Sequence, residues 1–313
     1  MSQTTAQRWL HRYAMLVAFA TFVLVIAGAL VTSNDAALSI PSWPAPFYWP
    51  PAMGPGGRYE LSHRVVAGTV STLTVILALL LWKFEPRRWV RRLGAIAVLT
   101  VIAQAVLGGV TVLLDLPVVT SVGHACLGQI FFCVMVSLAL FTRPGFQWDE
   151  SLGAGLVPAP PGHPQGVPLR TLAAATTSLI FVQLVLGAAF RHHGFGIIPH
   201  VVGAGLVTVC VLWLLVRALS DFRPVPQVTR AAWLLTGLLV AQVGLGIGAY
   251  WEVWTNLNAP QPLPPVVDVT TAHVAVGALV LAASLALTFQ AYRFSAGPDA
   301  APGIAPMPQK AAV

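Results

Sequence analysis

Long apolar runs separated by short polar connections occupy the chain from about residue 12 to residue 292. A helix that crosses the hydrocarbon core of a bilayer needs about 20 mainly apolar residues. The pattern predicts eight such spans, with bounds near 12–32, 62–82, 93–113, 119–141, 170–190, 198–218, 230–250 and 270–292. We therefore predict an all-α polytopic membrane protein.

Composition supports this class and excludes others. Hydrophobic residues make up 57% of the 313 positions and charged residues 9%, whereas soluble domains carry about 25% charged residues. The net charge of +7 would suggest nucleic acid in a soluble protein, but here the basic residues lie in the connections, so no nucleic-acid partner is expected. The cysteines lie in predicted spans, which gives no disulfide framework: Cys126, Cys133 and Cys210.

The basic residues also predict the orientation. Of 17 Lys and Arg residues, all but Arg58, Arg64 and Arg191 lie in the termini or in the connections on the same side as the termini. The positive-inside rule then places both termini in the cytoplasm. The first apolar run lacks a cleavage site and is read as a retained span. We expect a multi-pass protein of the cell inner (cytoplasmic) membrane.

A segment rich in Pro and Gly, at 142–169, divides the spans into four and four. We predict an N-terminal four-helix bundle at 1–141, this segment as a cytoplasmic linker, a C-terminal four-helix bundle at 170–292, and a disordered cytoplasmic tail at 293–313.

The two halves repeat a motif in the odd spans. Glutamine precedes glycine by four residues in three of them, and leucine takes the place of glutamine in span one: Gln104/Gly108, Gln183/Gly187, Gln242/Gly246 and Leu24/Gly28. Small residues at this spacing let helices or a planar ligand approach closely. Because each half enters from the same side, the repeat is parallel, with a pseudo-two-fold axis along the membrane normal.

The even spans share a histidine at the outer end, in or near the first turn, with a glycine three to five residues on: His63, His124, His200 and His273. Any one of them is most simply a hydrogen-bonded polar residue at the interface. Four at repeat-equivalent positions favour two facing pairs of metal ligands, and bis-imidazole ligation holds haem iron. Zinc fits less well, because cysteine or carboxylate partners are missing from three of the sites.

A carboxylate accompanies only the first of these histidines. Glu60 lies one turn before His63 and is a candidate general base, a group that stabilises a developing cation, or a helix N-terminal acid. Arg64 could bind a haem propionate, pair with Glu60, or extend to the lipid headgroups. The other histidines fall in the connections or near the N-terminus, where solvated roles are expected, although the outer pair could also contact a propionate: His11, His163, His192 and His193.

These features together resemble the haem A synthase family (Cox15/CtaA). The resemblance rests on two four-span halves, Glu-x-x-His-Arg in span two (Glu60 to Arg64), a histidine in each even span, and the segment GALVTSNDAALSIPSWP at 28–44. It covers about residues 10 to 292. Some bacterial members carry a cysteine pair in the first outer loop, but residues 33–59 contain no cysteine. The Pro- and Trp-rich segment at 40–57 is instead a candidate lid.

The resemblance implies an enzyme that oxidises the C8 methyl group of haem O to the formyl group of haem A by successive hydroxylations, for assembly of a terminal oxidase. His63 and His124 would be ligands on the substrate side, with Glu60 the catalytic carboxylate. His200 and His273 would hold haem b in the C-terminal half. Both haem sites would lie toward the outer face. A haem O synthase, the terminal oxidase assembly machinery and an electron donor would be partners, and a homo-oligomer is compatible with the sequence.

Two other classes compete with this reading. A membrane electron carrier with two bis-His haems, similar to cytochrome b and oxidising quinol, explains the histidines but gives Glu60 no role beyond proton transfer. A transporter is compatible with a parallel repeat and an intramembrane Glu–His relay, but it leaves four equivalent histidines unexplained.

Overall fold

The computed structural model describes residues 3–40, 42–43, 54, 56–146 and 167–294. Within these residues there are eight helices and no strand, and every helix is long and apolar enough to cross a membrane. The helices are α1 (Gln3–Ser33), α2 (Gly57–Phe84), α3 (Arg88–Leu113), α4 (Val118–Phe141), α5 (Leu169–Arg191), α6 (Ile198–Asp221), α7 (Pro226–Thr255) and α8 (Pro264–Phe294). The predicted all-α, multi-pass class is confirmed.

The helices extend beyond the predicted apolar runs. For example, α1 begins at Gln3 and α8 at Pro264, several residues before the apolar runs themselves. An apolar window marks only the part of a helix that crosses hydrocarbon, whereas the backbone stays helical until a turn or a proline ends it. Pro199 and Pro226 lie in the first turns of α6 and α7, where the missing N–H costs no helical hydrogen bond.

Neighbouring helices close two rings. In the first ring α1 contacts α2, α2 contacts α3, α3 contacts α4, and α4 returns to α1; α5 to α8 make the same four contacts. The rings meet through α1 with α8, α4 with α5, and α4 with α8. Advancing every helix by four reproduces these pairs, as the predicted repeat requires. The symmetry axis and the domain limits stay predictions.

The turns that follow three odd helices have the same local geometry. Asp35, Asp115 and His193, each two residues after the end of α1, α3 or α5, have positive φ angles of 49°, 59° and 60°. A left-handed residue at this point is a common way to end a helix and reverse the chain.

Each ring has its own apolar core, at the end that holds the chain termini. On every even helix the first residue of the buried core follows the histidine by seven positions: His63/Val70, His124/Phe131, His200/Val207 and His273/Val280. Seven helical residues span about 10 Å. The histidines therefore lie beyond the packed core, in the half of each ring nearer the α1–α2 and α5–α6 turns.

Three regions with sequence-based predictions lie outside the described residues. They are most of the linker (147–166), the tail from residue 295, and the greater part of the candidate lid between residues 41 and 55.

Candidate functional site

The four histidines occupy diagonal helices of the two rings. His63 and His124 lie on α2 and α4, and His200 and His273 on α6 and α8; neither pair of helices is in direct contact in the described chain. Only His200 lies in the first turn of its helix; the other three lie in later turns. His63 and His124 lie in the second turn, which agrees with the prediction of a place in or near the first turn, whereas the prediction was wrong for His273, because its helix begins at Pro264, six residues before the apolar run.

Each histidine ring packs against a glycine of the preceding helix. A methyl carbon built on that glycine would lie 2.7 to 3.3 Å from the ring carbon Cε1, which is closer than side chains ordinarily pack. The pairs are Gly28 with His63, Gly108 with His124, Gly187 with His200, and Gly246 with His273. The sequence predicted room for a helix or a planar ligand at these glycines. The structure instead places an imidazole ring there.

The repeated glutamines contact the same histidines. Gln104 and Gln183 donate from Nε2 to the backbone carbonyls of His124 and His200, at 2.9 and 2.8 Å. The same nitrogens lie 3.4 and 3.0 Å from a ring nitrogen of those histidines. Gln242 Nε2 lies 3.3 Å from a ring nitrogen of His273. These amides fix the orientation of the rings, as second-shell groups do for metal ligands.

The glycines that follow the histidines make room for these glutamines. A methyl carbon on Gly128 would lie 3.1 Å from Gln104 Nε2, one on Gly277 would lie 3.1 Å from Gln242 Nε2, and one on Gly203 would overlap Gln183. In the three helix pairs that have a glutamine, the odd helix thus provides a glycine that contacts the histidine of the even helix, and the even helix provides a glycine that contacts the glutamine of the odd helix. Sequence reasoning identified the Gln–Gly spacing but missed this contact. A polar residue recurring inside apolar helices was the signal that could have revealed it.

The His63 site lacks the amide. Leu24 takes the position of the glutamine, and the described residues supply no hydrogen bond to the His63 ring; its Nδ1 is buried and without a partner. His63 is therefore positioned by packing against Gly28 and by its own helix. The first site differs from the other three in this as well as in its carboxylate.

The second pair has the spacing that a shared ion requires. The ring centroids of His200 and His273 are 6.3 Å apart. Two imidazoles that bind one ion from opposite sides at about 2 Å have centroids roughly 6 to 7 Å apart. Nδ1 of His273, like Nδ1 of His124, is buried and without a partner in the described chain. The described residues contain no group of three or more His, Cys, Asp or Glu side chains placed to hold a metal ion, so the candidate donors are pairs of imidazoles. This donor set fits haem iron.

Glu60 is 3% exposed, and its carboxylate contacts the connection between α1 and α2. One carboxylate oxygen accepts a hydrogen bond from the Ile40 backbone N–H at 2.7 Å, and the other is paired with Arg64. Arg64 also donates to the backbone carbonyls of Ile40 and Ser42, both at 2.8 Å. The sequence allowed three partners for Arg64, namely a haem propionate, Glu60 and the lipid headgroups. In the structure Arg64 forms an ion pair with Glu60. The ion pair attaches the beginning of the connection between α1 and α2 to helix α2.

Glu60 lies in the first turn of α2, so its position agrees with the reading as a helix N-terminal acid that the helix dipole favours. The partners that its carboxylate has in the described chain are the Ile40 backbone and Arg64. A proton acceptor, a fixed negative charge and a helix N-terminal acid therefore all stay open as roles of Glu60.

A second polar cluster joins the two bundles at the histidine end. Arg191, the last residue of α5, donates to Ser33 Oγ at 2.9 Å, and Ser33 Oγ lies 3.0 Å from Thr270 Oγ1 and 3.2 Å from Thr271 Oγ1. The sequence offered no signal for it, because the three helix ends meet only in the fold.

The remaining histidines belong to neither pair, although His192 lies within electrostatic range of His124. His11 Nδ1 is 3.0 Å from the Ala139 carbonyl at the other end of the bundle. Burial is the largest cause that lowers the pKa of His192, and the charges of Arg191 and His193 lower it further. His193 is exposed, and His163 lies outside the described residues.

Replacing Gly108 by alanine is expected to displace the His124 ring, because the new methyl group would lie 2.7 Å from Cε1. Gly205→Ala on α6 is the matched control, since nothing lies within 4 Å of a methyl group there, and alanine favours a helix by about 1 kcal/mol over glycine. Haem titration of the detergent-solubilised proteins should show weaker binding for Gly108→Ala alone. Equal binding by the two variants would mean that the Gly–His contact does not position the ring.

Comparison with known proteins adds independent evidence. Residues 58–199 match the COX15-CtaA family, described as cytochrome oxidase assembly protein. A haem A synthase of Lysinibacillus sphaericus (strain C3-41) is 29% identical over 189 residues, 59% of this chain and 59% of that protein. One of Brucella anthropi is 28% identical over 49% of this chain and 44% of its own length. One of Bacillus cereus (strain AH187) is 23% identical over 82% of this chain and 88% of its own length. The first two alignments thus span less than two thirds of those relatives.

Proposed function

Because residues 58–199 match the Cox15/CtaA family of cytochrome oxidase assembly proteins and the chain is similar to haem A synthases, we propose that it belongs to this family and has the activity of a haem A synthase. Its substrate is haem O, and the C8 methyl group becomes the formyl group of haem A. The observation that carries the proposal is the fourfold fit of a histidine against a glycine, together with a buried carboxylate at one site only. The haem electron carrier accounts for the first feature but not for the second.

In this proposal the C-terminal bundle binds haem b and the N-terminal bundle binds the substrate haem. His200 and His273, which are 6.3 Å apart between ring centroids, hold haem b through their ring nitrogens, while Gln183 and Gln242 keep the rings oriented. Haem b, when bound, supplies one-electron transfer. His63 and His124 hold the iron of the substrate haem in the other bundle.

Glu60 acts beside the substrate as a fixed carboxylate. The overall conversion replaces two hydrogens of the methyl group by one oxygen atom. Either dioxygen supplies that atom and is reduced, with release of one water, or water supplies it and another external acceptor takes up four electrons, with release of four protons. Protons leave the carbon, and positive charge develops next to the macrocycle. A buried carboxylate can accept a proton or stabilise that charge. Arg64 and the Ile40 N–H hold both of its oxygens in place.

Orientation and partners follow from the same proposal. Both termini lie in the cytoplasm, and the histidine ends of both bundles lie toward the outer face of the inner membrane. A haem O synthase supplies the substrate, and assembly of a terminal oxidase consumes the product.

Pigment extraction tests the proposed activity. We expect cells that make haem O and express this chain to yield haem A on chromatography of the extract, and the purified protein to show the spectrum of low-spin bis-His haem. An extract with haem B and haem O but no haem A, from cells with intact protein, would leave the electron carrier as the better reading.

A further inference from the structure

A cavity lies at the end of the molecule opposite the histidines. It has a volume of about 420 Å³ and is lined by Arg143, Pro226, Gln227, Arg230 and Gln290. These residues come from the end of α4, the start of α7 and the last turns of α8, so the cavity lies where the two bundles meet. We propose that it binds a phosphate-bearing anion, either the headgroup of an anionic phospholipid or a free phosphate.

The two arginines of the cavity have no anionic partner in the described chain. The three ion pairs found there are Arg64–Glu60, Arg87–Glu85 and Arg217–Asp221. Neither Arg143 nor Arg230 is a member, and neither guanidinium group is hydrogen-bonded to another described residue. Both arginines are exposed, so their guanidinium groups are available to an anion that enters the cavity. Guanidinium binds phosphate oxygens in a bidentate fashion.

The corresponding end of the first bundle contains an ion pair between an arginine and a buried glutamate, and no such pair is found at the cavity in the described chain. Before α3, Glu85 is 5% exposed, and Arg87 donates to both of its carboxylate oxygens, at 2.7 and 2.9 Å. Arg87 also donates to the Phe141 carbonyl at 2.7 Å. The connection before α7 has Arg223 in the place of Glu85 when Pro224 is aligned with Pro86. An arginine thus takes the position of Glu85 in the second bundle, and the carboxylate found at that end, Asp221, is already paired with Arg217.

A polar atom of the cavity wall also needs a partner. Gln290 contributes an amide whose Oε1 is buried and accepts no hydrogen bond in the described chain. An unpaired buried acceptor costs about 1–3 kcal/mol. A hydroxyl group of a headgroup, or a protonated phosphate, supplies the missing donor. The cavity thus offers both a site for negative charge and an acceptor beside it.

The position of the cavity agrees with a lipid ligand. In the proposed orientation it faces the cytoplasm, where anionic lipids attract basic residues close to the membrane and basic pockets between helices bind lipid headgroups. Its volume falls within the range of about 300–1,000 Å³ that is typical of small-molecule sites. The site does not take part in the haem chemistry, so the proposed function and this inference can fail separately.

Lipid retention tests the site. The full-length protein is taken from vesicles of phosphatidylcholine and phosphatidylglycerol into detergent, and the retained lipids are counted by native mass spectrometry. Each basic residue near an anionic surface strengthens binding about five-fold, so R143Q/R230Q should retain phosphatidylglycerol about twenty-five-fold less well. Arg223→Gln is the control, because Arg223 is exposed in the same region but does not line the cavity. Its retention should match that of the unchanged protein.

The outcomes separate the two ligands and the null result. Displacement of phosphatidylglycerol by inorganic phosphate would identify a free-phosphate site, and retention against phosphate would identify a headgroup site. Equal retention by R143Q/R230Q, Arg223→Gln and the unchanged protein would overturn the proposal. Thermal unfolding checks that the double variant is folded; if it is not, the two single variants replace it, each with about a five-fold loss.

Discussion

Replacing His273 by alanine is expected to remove the haem of the C-terminal bundle. His273 contributes one of the two rings whose centroids are 6.3 Å apart, and its Nδ1 has no other partner in the described chain. Mutation of a second-shell partner typically costs 10–100-fold in metal affinity, so loss of a ligand itself should weaken haem binding by more than about a hundred-fold. The haem content of the purified protein, measured by pyridine haemochrome, should fall by the amount held in that bundle.

His193→Ala is the matched control for this experiment. His193 is exposed in the turn after α5 and has positive φ, so its imidazole is available to solvent and its loss should leave the haem content unchanged. His63→Ala should spare the haem of the C-terminal bundle but abolish haem A. A His273→Ala protein that keeps its full haem content would show that the C-terminal pair does not bind haem.

Periodicity was sufficient for the fold class but not for the helix ends. Runs of about 20 apolar residues define a membrane helix because only such a run can satisfy the bilayer core. The same criterion ignores the interface, where α7 continues to Thr255 and α8 begins at Pro264. This is why His273 was placed near the start of its helix and lies in its third turn. The charge pattern predicts an orientation, which stays a prediction.

Only part of the candidate site could be predicted from the sequence. Four histidines at equivalent positions were visible, since repetition makes a polar residue in an apolar helix stand out. Their glycine partners are visible as well, and the glycine spacing predicts the close approach of a helix or a planar ligand. Spacing along one helix does not say which group of the next helix fills the gap, so the contact with the imidazole ring was not predicted. The ion pair of Glu60 and Arg64 was one of several options. The attachment of the loop at Ile40 depends on a backbone group and has no sequence signature.

The differences between the sites are more informative than their shared features. Three histidines are oriented by a glutamine; the fourth, His63, has Leu24 in its place and Glu60 one turn away. A resident cofactor benefits from ligands fixed by hydrogen bonds, whereas a substrate haem must enter and leave. A ring held only by packing against Gly28 is the more easily displaced ligand, which agrees with a substrate site in the N-terminal bundle.

Glu60→Gln is expected to abolish haem A formation while leaving the C-terminal haem in place. Glutamine has the same shape as glutamate and can still accept the hydrogen bond from the Ile40 N–H, but it carries no negative charge and is a poor proton acceptor. General acid–base catalysis contributes about 10²–10⁴-fold, so the ratio of haem A to haem O in the pigment extract should fall by at least about a hundred-fold.

The comparison with Glu60→Ala and Arg64→Gln separates chemistry from loop attachment. If Glu60 serves only to hold the loop, Glu60→Gln should remain active and Glu60→Ala should fail, because only alanine loses the bond to Ile40. If the charge is required, both substitutions should fail equally. Arg64→Gln leaves a buried carboxylate without its cation, a change that typically costs about 3–5 kcal/mol, so it should lower the unfolding temperature of the protein as well as its yield of haem A. An active Glu60→Gln protein would reassign Glu60 from the reaction to the attachment of the loop.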